Sequence, residues 1–294
     1  MTLGQAIQLF INHQQVQGRS PHTISCYQRD LSWLIEQGGG ELDITSFGNS
    51  EVDRFLLSRQ VTHMAGGKPK ASISIGRTRS TVKAFGRWLF EAGHLKANPT
   101  NMIRIGRQNC KLPTYLTDDE VRLLLKTIRS QKGWQAERDL VIIQLFLFTG
   151  IRLVELVNLN ISDVNLLEKR ITIKAKGNQV VNRFLNGKAR LALNTYLKYR
   201  RRMWFDSPAL FLSQLGDRIS GRHIQRRLEE WVARAGIAKQ VHPHTLRHTF
   251  ATSLYSRTSN ILAVQHALGH SSITTSQIYM HMVDDSFECA METL

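Results

Sequence analysis

The chain has 294 residues, of which 42% are hydrophobic, enough for one large domain or two ordinary ones. This composition excludes global disorder. Lys and Arg total 39 against 23 Asp and Glu, giving a net charge of +16 and a pI near 10.2. Positive charge spread along a folded chain predicts a polyanionic partner, most simply nucleic acid. The alternative is a generic basic surface that only maintains solubility.

The cysteines and the apolar segments bear on cellular location. Cys26, Cys110 and Cys289 are scattered and odd in number, so they form neither a disulfide framework nor a zinc pattern. The N-terminal sequence lacks the features of a signal peptide. The longest apolar run, LVIIQLFLF (140–148), contains a Gln and is too short to span a bilayer. These features predict a cytoplasmic protein without a membrane partner.

Residues 1–94 have the periodicity of helices. Four segments place apolar residues three and four positions apart: residues 2–14, 21–37, 50–61 and 74–93. The last of them also carries four basic residues among its apolar positions: Arg77, Arg79, Lys83 and Arg87. We interpret these four as a candidate DNA-contacting face, with an ordinary solvated face as the alternative.

The helical pattern stops at residues 95–116, where two prolines and four basic residues predict a linker. Thr117 followed by Glu120 then forms a capping box, so a second domain is expected from residue 117.

The second domain mixes two periodicities. Alternation over 169–186 around a Gly-Asn pair predicts a β-hairpin. Helices are predicted at 117–130, 135–149, 152–158, 187–203, 219–236, 244–257, 259–268 and 272–280. The expected fold class is therefore mainly α, with a four-helix N-terminal domain and a mostly-α second domain that holds a small antiparallel sheet.

Two short motifs place cations beside possible anion sites. In TGIRLVEL (149–156), Glu155 lies three residues after Arg152 and can hold its guanidinium, although an ordinary surface ion pair has the same spacing. In KAKGNQ (174–179), Lys176 at the hairpin tip can donate a proton, although most lysines at such tips only contact water.

The stretch HPHTLRHTF (242–250) places His244, Arg247 and His248 on one face near the start of a helix. Free N–H groups and a partial positive charge make that end favourable for anions. A zinc site is disfavoured, because Thr-Leu-Arg lies between the histidines where a metalloprotease helix has a glutamate. His248 or His242 is the better candidate for a structural histidine.

A further motif, LGHSSITTSQIYMH (268–281), adds His270 and Tyr279 in a segment with little apolar mass. Taken together, the motifs supply cations, proton carriers and one hydroxyl nucleophile, without an acidic cluster for a metal. Such a set suits phosphoryl transfer without a metal: arginines neutralise the phosphate oxygens, and a tyrosine forms a covalent ester.

The order R…K…H-x-x-R…H…Y resembles the tyrosine recombinase (phage integrase) family, and in detail the Xer-type enzymes. The resemblance covers nearly the whole chain, from SPHTISCYQRDL through NPT, LPTYLTDDEV, TGIRLVEL, AKGN and HTLRHTFAT to LGHSSITTSQIY. The hairpin departs from the family pattern, since Gln179 and Val180 stand where a further basic residue often follows. The departure affects the residues that follow Lys176, while Lys176 itself matches the family pattern.

The resemblance implies roles for individual residues. The two arginines would hold the scissile phosphate, the lysine would protonate the 5′-hydroxyl, and the tyrosine would form a 3′-phosphotyrosine. One histidine would assist proton transfer at the tyrosine, and another would hydrogen-bond the phosphate. The two arginines are Arg152 and Arg247, the lysine is Lys176 and the tyrosine is Tyr279. The histidine that assists proton transfer is His244, and the one that binds the phosphate is His270. Glu155 would orient the first arginine, and His248 would be structural.

The resemblance also implies the architecture and the partners. An N-terminal core-binding (SAM-like) domain at 1–94, a linker at 95–116 and a catalytic domain at 117–294 would clamp duplex DNA. Four protomers, identical or of two kinds, would exchange strands through a Holliday junction, with no metal, ATP or other cofactor. A second recombinase or an activator protein is a further possible partner, and the tail after Tyr279 would dock on a neighbouring protomer.

The motifs are common to dimer-resolving enzymes and to enzymes that integrate mobile elements, so they select neither role and no DNA sequence. Two other functions are compatible with this fold. One is a non-catalytic, architectural DNA-binding protein, which predicts erosion of the six catalytic positions. The other is a type IB topoisomerase, against which the Xer-like N-terminal segment argues.

Overall fold

The structure is a computed structural model that describes residues 1–106, 113–174, 180–269 and Tyr279. The chain divides into two compact units, Met1–Cys110 and Lys111–Leu294. The boundary between them falls within the segment that the sequence predicts to be a linker. The mainly helical fold class is confirmed for both units.

The first unit is helical throughout its regular structure. Its helices are α1 (Leu3–Val16), α2 (Pro21–Gly38), α3 (Asn49–Leu57), α4 (Arg59–Thr62) and α5 (Ser72–Glu91), with a 3₁₀ turn at Ile44–Ser46. Helix α1 begins with a capping box, in which Thr2 accepts from the Gln5 N–H and Gln5 accepts from the Thr2 N–H. An aromatic group centred on Phe10 and Phe85 fills the core between α1, α2 and α5.

The predicted single helix at 50–61 is wrong, because the structure breaks it at Ser58. This residue has extended backbone angles (φ −63°, ψ 154°) and serves both as the end of α3 and as the N-cap of α4. Its hydroxyl accepts from the Val61 N–H. Serine competes for backbone hydrogen bonds in this way, and so it favours caps over helix interiors.

Residues 95–106 pack on the first unit, although the sequence predicts them to be linker. Ile103 joins the core and its carbonyl accepts from the Lys83 ammonium at 3.1 Å. Thr100 is fully buried and lies against Gly86 of α5. A Cβ at residue 86 would come within 2.3 Å of the Thr100 methyl group, so this approach requires glycine.

We expect Gly86→Ala to lower the free energy of unfolding by about 1 to 3 kcal/mol, because the added methyl overpacks a closed contact. Gly66→Ala is the matched control, since a Cβ there meets no atom within 4 Å. Urea unfolding followed by circular dichroism measures both variants. Equal stability of the two would show that Thr100 moves aside without cost.

Two of the four residues of the predicted DNA-contacting face also make internal contacts. The Arg77 guanidinium donates to the fully buried Asp30 carboxylate at 3.0 Å, and Lys83 is bonded to the Ile103 carbonyl. Arg79 is half-buried and Arg87 is exposed. Arg77 also lies about 160° around the helix from Arg79, so the four do not share one face.

The second unit is built from seven helices and one sheet in the part of it that the structure describes. The helices are α6 (Asp118–Arg129), α7 (Trp134–Thr149), α8 (Leu153–Val157), α9 (Gly187–Arg202), α10 (Gly221–Arg234), α11 (Pro243–Thr258) and α12 (Ile261–Leu268). The strands are β1 (Val164–Asn165), β2 (Arg170–Lys174) and β3 (Val180–Phe184). The predicted capping box of Thr117 and Glu120 at the start of α6 is confirmed.

Helix α7 is the centre of the second unit. It packs against α6, α9, α10 and α11, and most of its side chains are buried on all sides. This explains the apolar run at 140–148, which lies in a protein core. No helix in the described ranges is long and apolar enough to cross a membrane.

The predicted hairpin is present as β2 and β3, which pair antiparallel with Ile171 opposite Arg183. The turn between them lies outside the described residues. The short strand β1 pairs with β2 and was not predicted, because two residues are too few for an alternation pattern. The sheet order is β1-β2-β3.

Candidate active site

The first part of the site is formed where α7 ends and α8 begins. Gly150 has a left-handed backbone (φ 60°, ψ 23°), and a Cβ there would lie 2.5 Å from the Phe250 ring. The tight turn puts Arg152 at the N-cap of α8. Glu155, which is 7% exposed, accepts from both the Arg152 backbone N–H and the Arg152 Nη1, each at 2.9 Å. The predicted contact between Arg152 and Glu155 is therefore confirmed.

Arg247 enters the same region from the first turns of α11. It is 5% exposed; its Nη1 donates to the Gly150 carbonyl and its Nη2 to the Leu268 carbonyl at 2.7 Å. Burial and the neighbouring charge of Arg152 lower the pKa of Arg247 to about 10. The guanidinium thus stays charged at neutral pH, and its position beside Arg152 forms a compact anion-attracting pair.

Tyr279 lies against α11 and is 2% exposed. Its hydroxyl is 2.9 Å from the Nδ1 of His248, and the two rings are 5.7 Å apart. Burial raises the pKa of Tyr279, while the charge of Arg247 lowers it. The sequence interpretation gives His244 the proton-transfer role, but in the structure His248 contacts the hydroxyl.

The two histidines of α11 differ in exposure. His244 is exposed at the helix start, where partial loss of water around its ring and the charges of Arg247 and Arg152 lower its pKa. Burial, with His244 and Arg247 nearby, lowers the pKa of His248 to about 4. His248 is therefore neutral at pH 7, and its Nδ1 can accept the tyrosine proton when the other ring nitrogen carries the hydrogen.

A third arginine, which the sequence reasoning missed, completes the site. Arg183 on β3 is 8% exposed, and its Nη1 donates to the carbonyls of His266, at 3.4 Å, and Ala267. Arg152 Nη2 reaches the Gly269 carbonyl at 3.3 Å. Three arginines thus bind four successive oxygens at the end of α12, which we call the α12 carbonyl row: those of His266, Ala267, Leu268 and Gly269.

The family of this chain is shown by its similarity to known proteins. Residues 114–285 match the model of the phage integrase family. Tyrosine recombinase XerC of Chromobacterium violaceum is 34% identical over 279 residues, which cover 94% of this chain and 90% of the relative. The chain belongs to the phage integrase family. It is a tyrosine-type site-specific recombinase.

Solved structures agree with this phage integrase fold. The crystal structure of XerA recombinase superposes with a TM-score of 0.57 at 27% identity and covers 99% of this chain and 98% of its own. The Tn1549 transposon integrase in complex with a circular intermediate DNA gives a TM-score of 0.77 at 20% identity, with full coverage of both chains. At 20% identity, the similarity to the Tn1549 integrase shows only that the two chains share a fold.

The structure therefore brings together six of the eight predicted site residues of this phage integrase: Arg152, Glu155, His244, Arg247, His248 and Tyr279. His244 is exposed at the start of α11. Lys176 and His270 lie outside the described residues. Among the residues that the structure does describe, no group of three His, Cys, Asp or Glu side chains can hold a metal ion.

The neutral state of His248 predicts a pH-dependent stability. An unfolded chain has a histidine pKa near 6.5, whereas folding lowers that of His248 to about 4. Between those values the unfolded state binds a proton that the folded state does not, so the free energy of unfolding falls as the pH falls. The contribution is complete above about pH 7 and we expect about 1 to 2 kcal/mol to be lost by pH 4.5.

Urea unfolding at pH 7 and pH 4.5 measures this loss in the wild type and in His248→Asn. Asparagine retains a hydrogen-bond acceptor near the Nδ1 position and does not titrate. Between pH 7 and pH 4.5, we expect the free energy of unfolding of His248→Asn to fall by about 1 to 2 kcal/mol less than that of the wild type. The other titrating groups are common to both proteins, so equal losses would assign the pH dependence to groups other than His248.

Proposed function

We propose that this recombinase cuts and rejoins DNA at a specific site through a 3′-phosphotyrosine formed by Tyr279. The observation that carries the proposal is the convergence of a buried tyrosine hydroxyl, a neutral histidine and two arginines. The resemblance of the sequence motifs to the family supplies the remaining members, Lys176 and His270. No cofactor is required, because protein cations and proton carriers fill the roles that metals have elsewhere.

The chemistry follows from these groups. The Tyr279 oxygen attacks phosphorus, a P–O bond to the tyrosine forms, and the bond to the 5′ oxygen breaks. Negative charge grows on the non-bridging oxygens in the transition state, where Arg152 and Arg247 stabilise it. The ester preserves the energy of the broken bond, so a 5′-hydroxyl from another strand can reverse the step without ATP.

Two proton transfers balance the reaction. The raised pKa of Tyr279 means that its proton has to leave during attack, and a histidine of α11 accepts it. The contact with Nδ1 supports His248 as the acceptor in the structure described here, and the family motif supports His244 in the complex with DNA. Lys176 protonates the departing 5′ oxygen.

We infer that the reaction takes place in the cytoplasm. We also infer that DNA contacts the first unit. A groove of about 840 Å³ in this unit is lined by Arg29, Arg59, Lys70 and Arg77, and the Lys70 ammonium lies 4.3 Å from the Trp33 ring centre. Such a basic groove suits a phosphate backbone. Arg79 and Arg87 remain candidates for a second DNA contact, outside the face of α5 that carries Arg77.

The assembly that we propose follows the family resemblance. Two DNA sites and four protomers, of one kind or two, exchange strands in pairs through a Holliday junction. A second recombinase or an activator is compatible with this scheme. The Tn1549 integrase, which shares the fold, is bound to a circular intermediate DNA in its structure, and this supports a DNA partner here.

Covalent capture from total host DNA tests the proposal, because the assay finds the cleaved site without a designed substrate. Purified protein is incubated with sheared DNA in EDTA, denatured with SDS, and the attached DNA is sequenced. We expect adducts at one or a few sequences, with protein on the 3′ phosphate and a free 5′-hydroxyl that polynucleotide kinase labels directly.

The same assay distinguishes the other two functions. Specific DNA binding without any adduct would indicate an architectural protein. Adducts at many unrelated sequences, together with relaxation of any supercoiled plasmid, would indicate a type IB topoisomerase. A strict requirement for a divalent metal would contradict the proposed mechanism.

A further inference from the structure

Arg183 occupies an unusual place for a charged residue. On β3 the arginine is the buried residue, while Val180 and Phe184 are 66% and 68% exposed. Ile171, opposite Arg183 in the sheet, is fully buried. A buried charge costs free energy unless other groups compensate it, so its bonding partners indicate its purpose.

Those partners are the first two oxygens of the α12 carbonyl row. The last carbonyls of a helix have no following N–H groups in the helix and carry partial negative charge. Arg183 binds the beginning of the row, whereas Arg247 and Arg152 bind its last two oxygens. The three guanidiniums are thus aligned along one short piece of backbone.

The charge of the cluster explains why this alignment matters. Three arginines and one carboxylate, Glu155, leave a net positive charge, so the guanidiniums repel one another. Burial lowers the pKa of Arg183, and the charge of Arg152 lowers it further while Glu155 raises it. The partial negative charge of the carbonyl row offsets part of this repulsion.

We propose that Arg183 is a positioning residue: by holding the end of α12 in place, it fixes the carbonyls that align Arg247 and Arg152 on the scissile phosphate. The inference rests on the proposed role of those two arginines. Arg183 itself donates to the carbonyls of His266 and Ala267, at the opposite end of the row from Gly269. Gly269 directly precedes His270 in the sequence.

The test is single-turnover cleavage of a captured site by Arg183→Met. We expect the rate of covalent adduct formation at saturating protein to fall by about 10- to 100-fold, because small displacements of binding groups have effects of this size. The apparent Kd for the DNA should stay within about threefold, since Arg183 is 8% exposed and its guanidinium is bonded to backbone carbonyls. Arg183→Lys keeps a cation, and it should recover part of the rate.

Arg200→Met is the matched control. Arg200 is 3% exposed and also donates to backbone carbonyls, those of Ser207 and Ala209, in a different part of the unit. We expect it to lose comparable stability but to cleave at the wild-type rate per folded molecule. If Arg183→Met does not fold, Arg183→Lys is compared with Arg200→Lys in the same way.

A substrate with a neutral methylphosphonate at the scissile position separates positioning from direct contact. It should restore activity to an Arg152→Ala enzyme, because less charge then needs neutralising, but not to Arg183→Met. Restoration of Arg183→Met would make Arg183 a phosphate ligand and overturn the positioning role, as would an unchanged rate. A wild type that forms no adduct would instead overturn the proposed function, and with it this inference.

Discussion

Tyr279→Phe is expected to abolish covalent adducts, lowering strand cleavage by at least about 10⁴-fold, since no other hydroxyl replaces an aligned nucleophile. The substitution removes one oxygen from a side chain that is 2% exposed, so the packing around the ring stays the same. The lost hydrogen bond to His248 should cost about 0.5 to 1.5 kcal/mol of stability. DNA affinity should be unchanged, because a neutral tyrosine contributes little to binding a phosphate.

Denaturing gel electrophoresis of labelled site DNA measures the adduct, and a mobility-shift assay measures binding. Tyr196→Phe is the matched control, since that tyrosine is fully buried in the same unit and donates to the Leu210 carbonyl at 3.1 Å. We expect this control to form adducts at the wild-type rate. Adducts that persist in Tyr279→Phe would assign the nucleophile to another residue.

Arg247→Lys should give the second largest effect. Lysine keeps the charge but cannot span the Gly150 and Leu268 carbonyls and still present a donor to phosphate. We expect the cleavage rate to fall by about 10² to 10³-fold, the effect of removing one donor from a site that stabilises an oxyanion.

Single-turnover cleavage over a range of protein concentrations separates the rate of the chemical step from binding. Arg200→Lys is the control, because it makes the same change at another buried arginine bonded to carbonyls. A loss confined to binding, with an unchanged maximal rate, would show that Arg247 only recruits DNA. Equal losses in the two variants would indicate that general destabilisation is the cause.

Local patterns in the sequence predicted most of the helices and part of the site. The capping box at Thr117 and the contact between Arg152 and Glu155 involve residues three positions apart, so their geometry follows once a helix forms. Apolar spacing predicted the buried face of α1 for the same reason. Ser58 was misjudged because the apolar spacing continues across it while its hydroxyl caps a new helix.

The remaining features depend on contacts between distant parts of the chain. Arg183 lies more than eighty residues from the carbonyls it binds, and an alternating strand pattern gives no sign that its charged member faces inward. The contact between His248 and Tyr279 joins residues 31 apart. The sequence motif put both near the site, but only the packing of the tyrosine on α11 showed which histidine meets the hydroxyl.

The three arginines are bonded to backbone carbonyls, and this affects how the site responds to pH. Side-chain counter-ions such as aspartate lose their charge in mild acid, whereas peptide oxygens keep their dipoles at any pH at which the protein stays folded. The α12 carbonyl row therefore acts as a counter-ion that cannot be titrated. The row also carries no full negative charge, so it balances the arginines without adding a carboxylate that would repel an incoming phosphate.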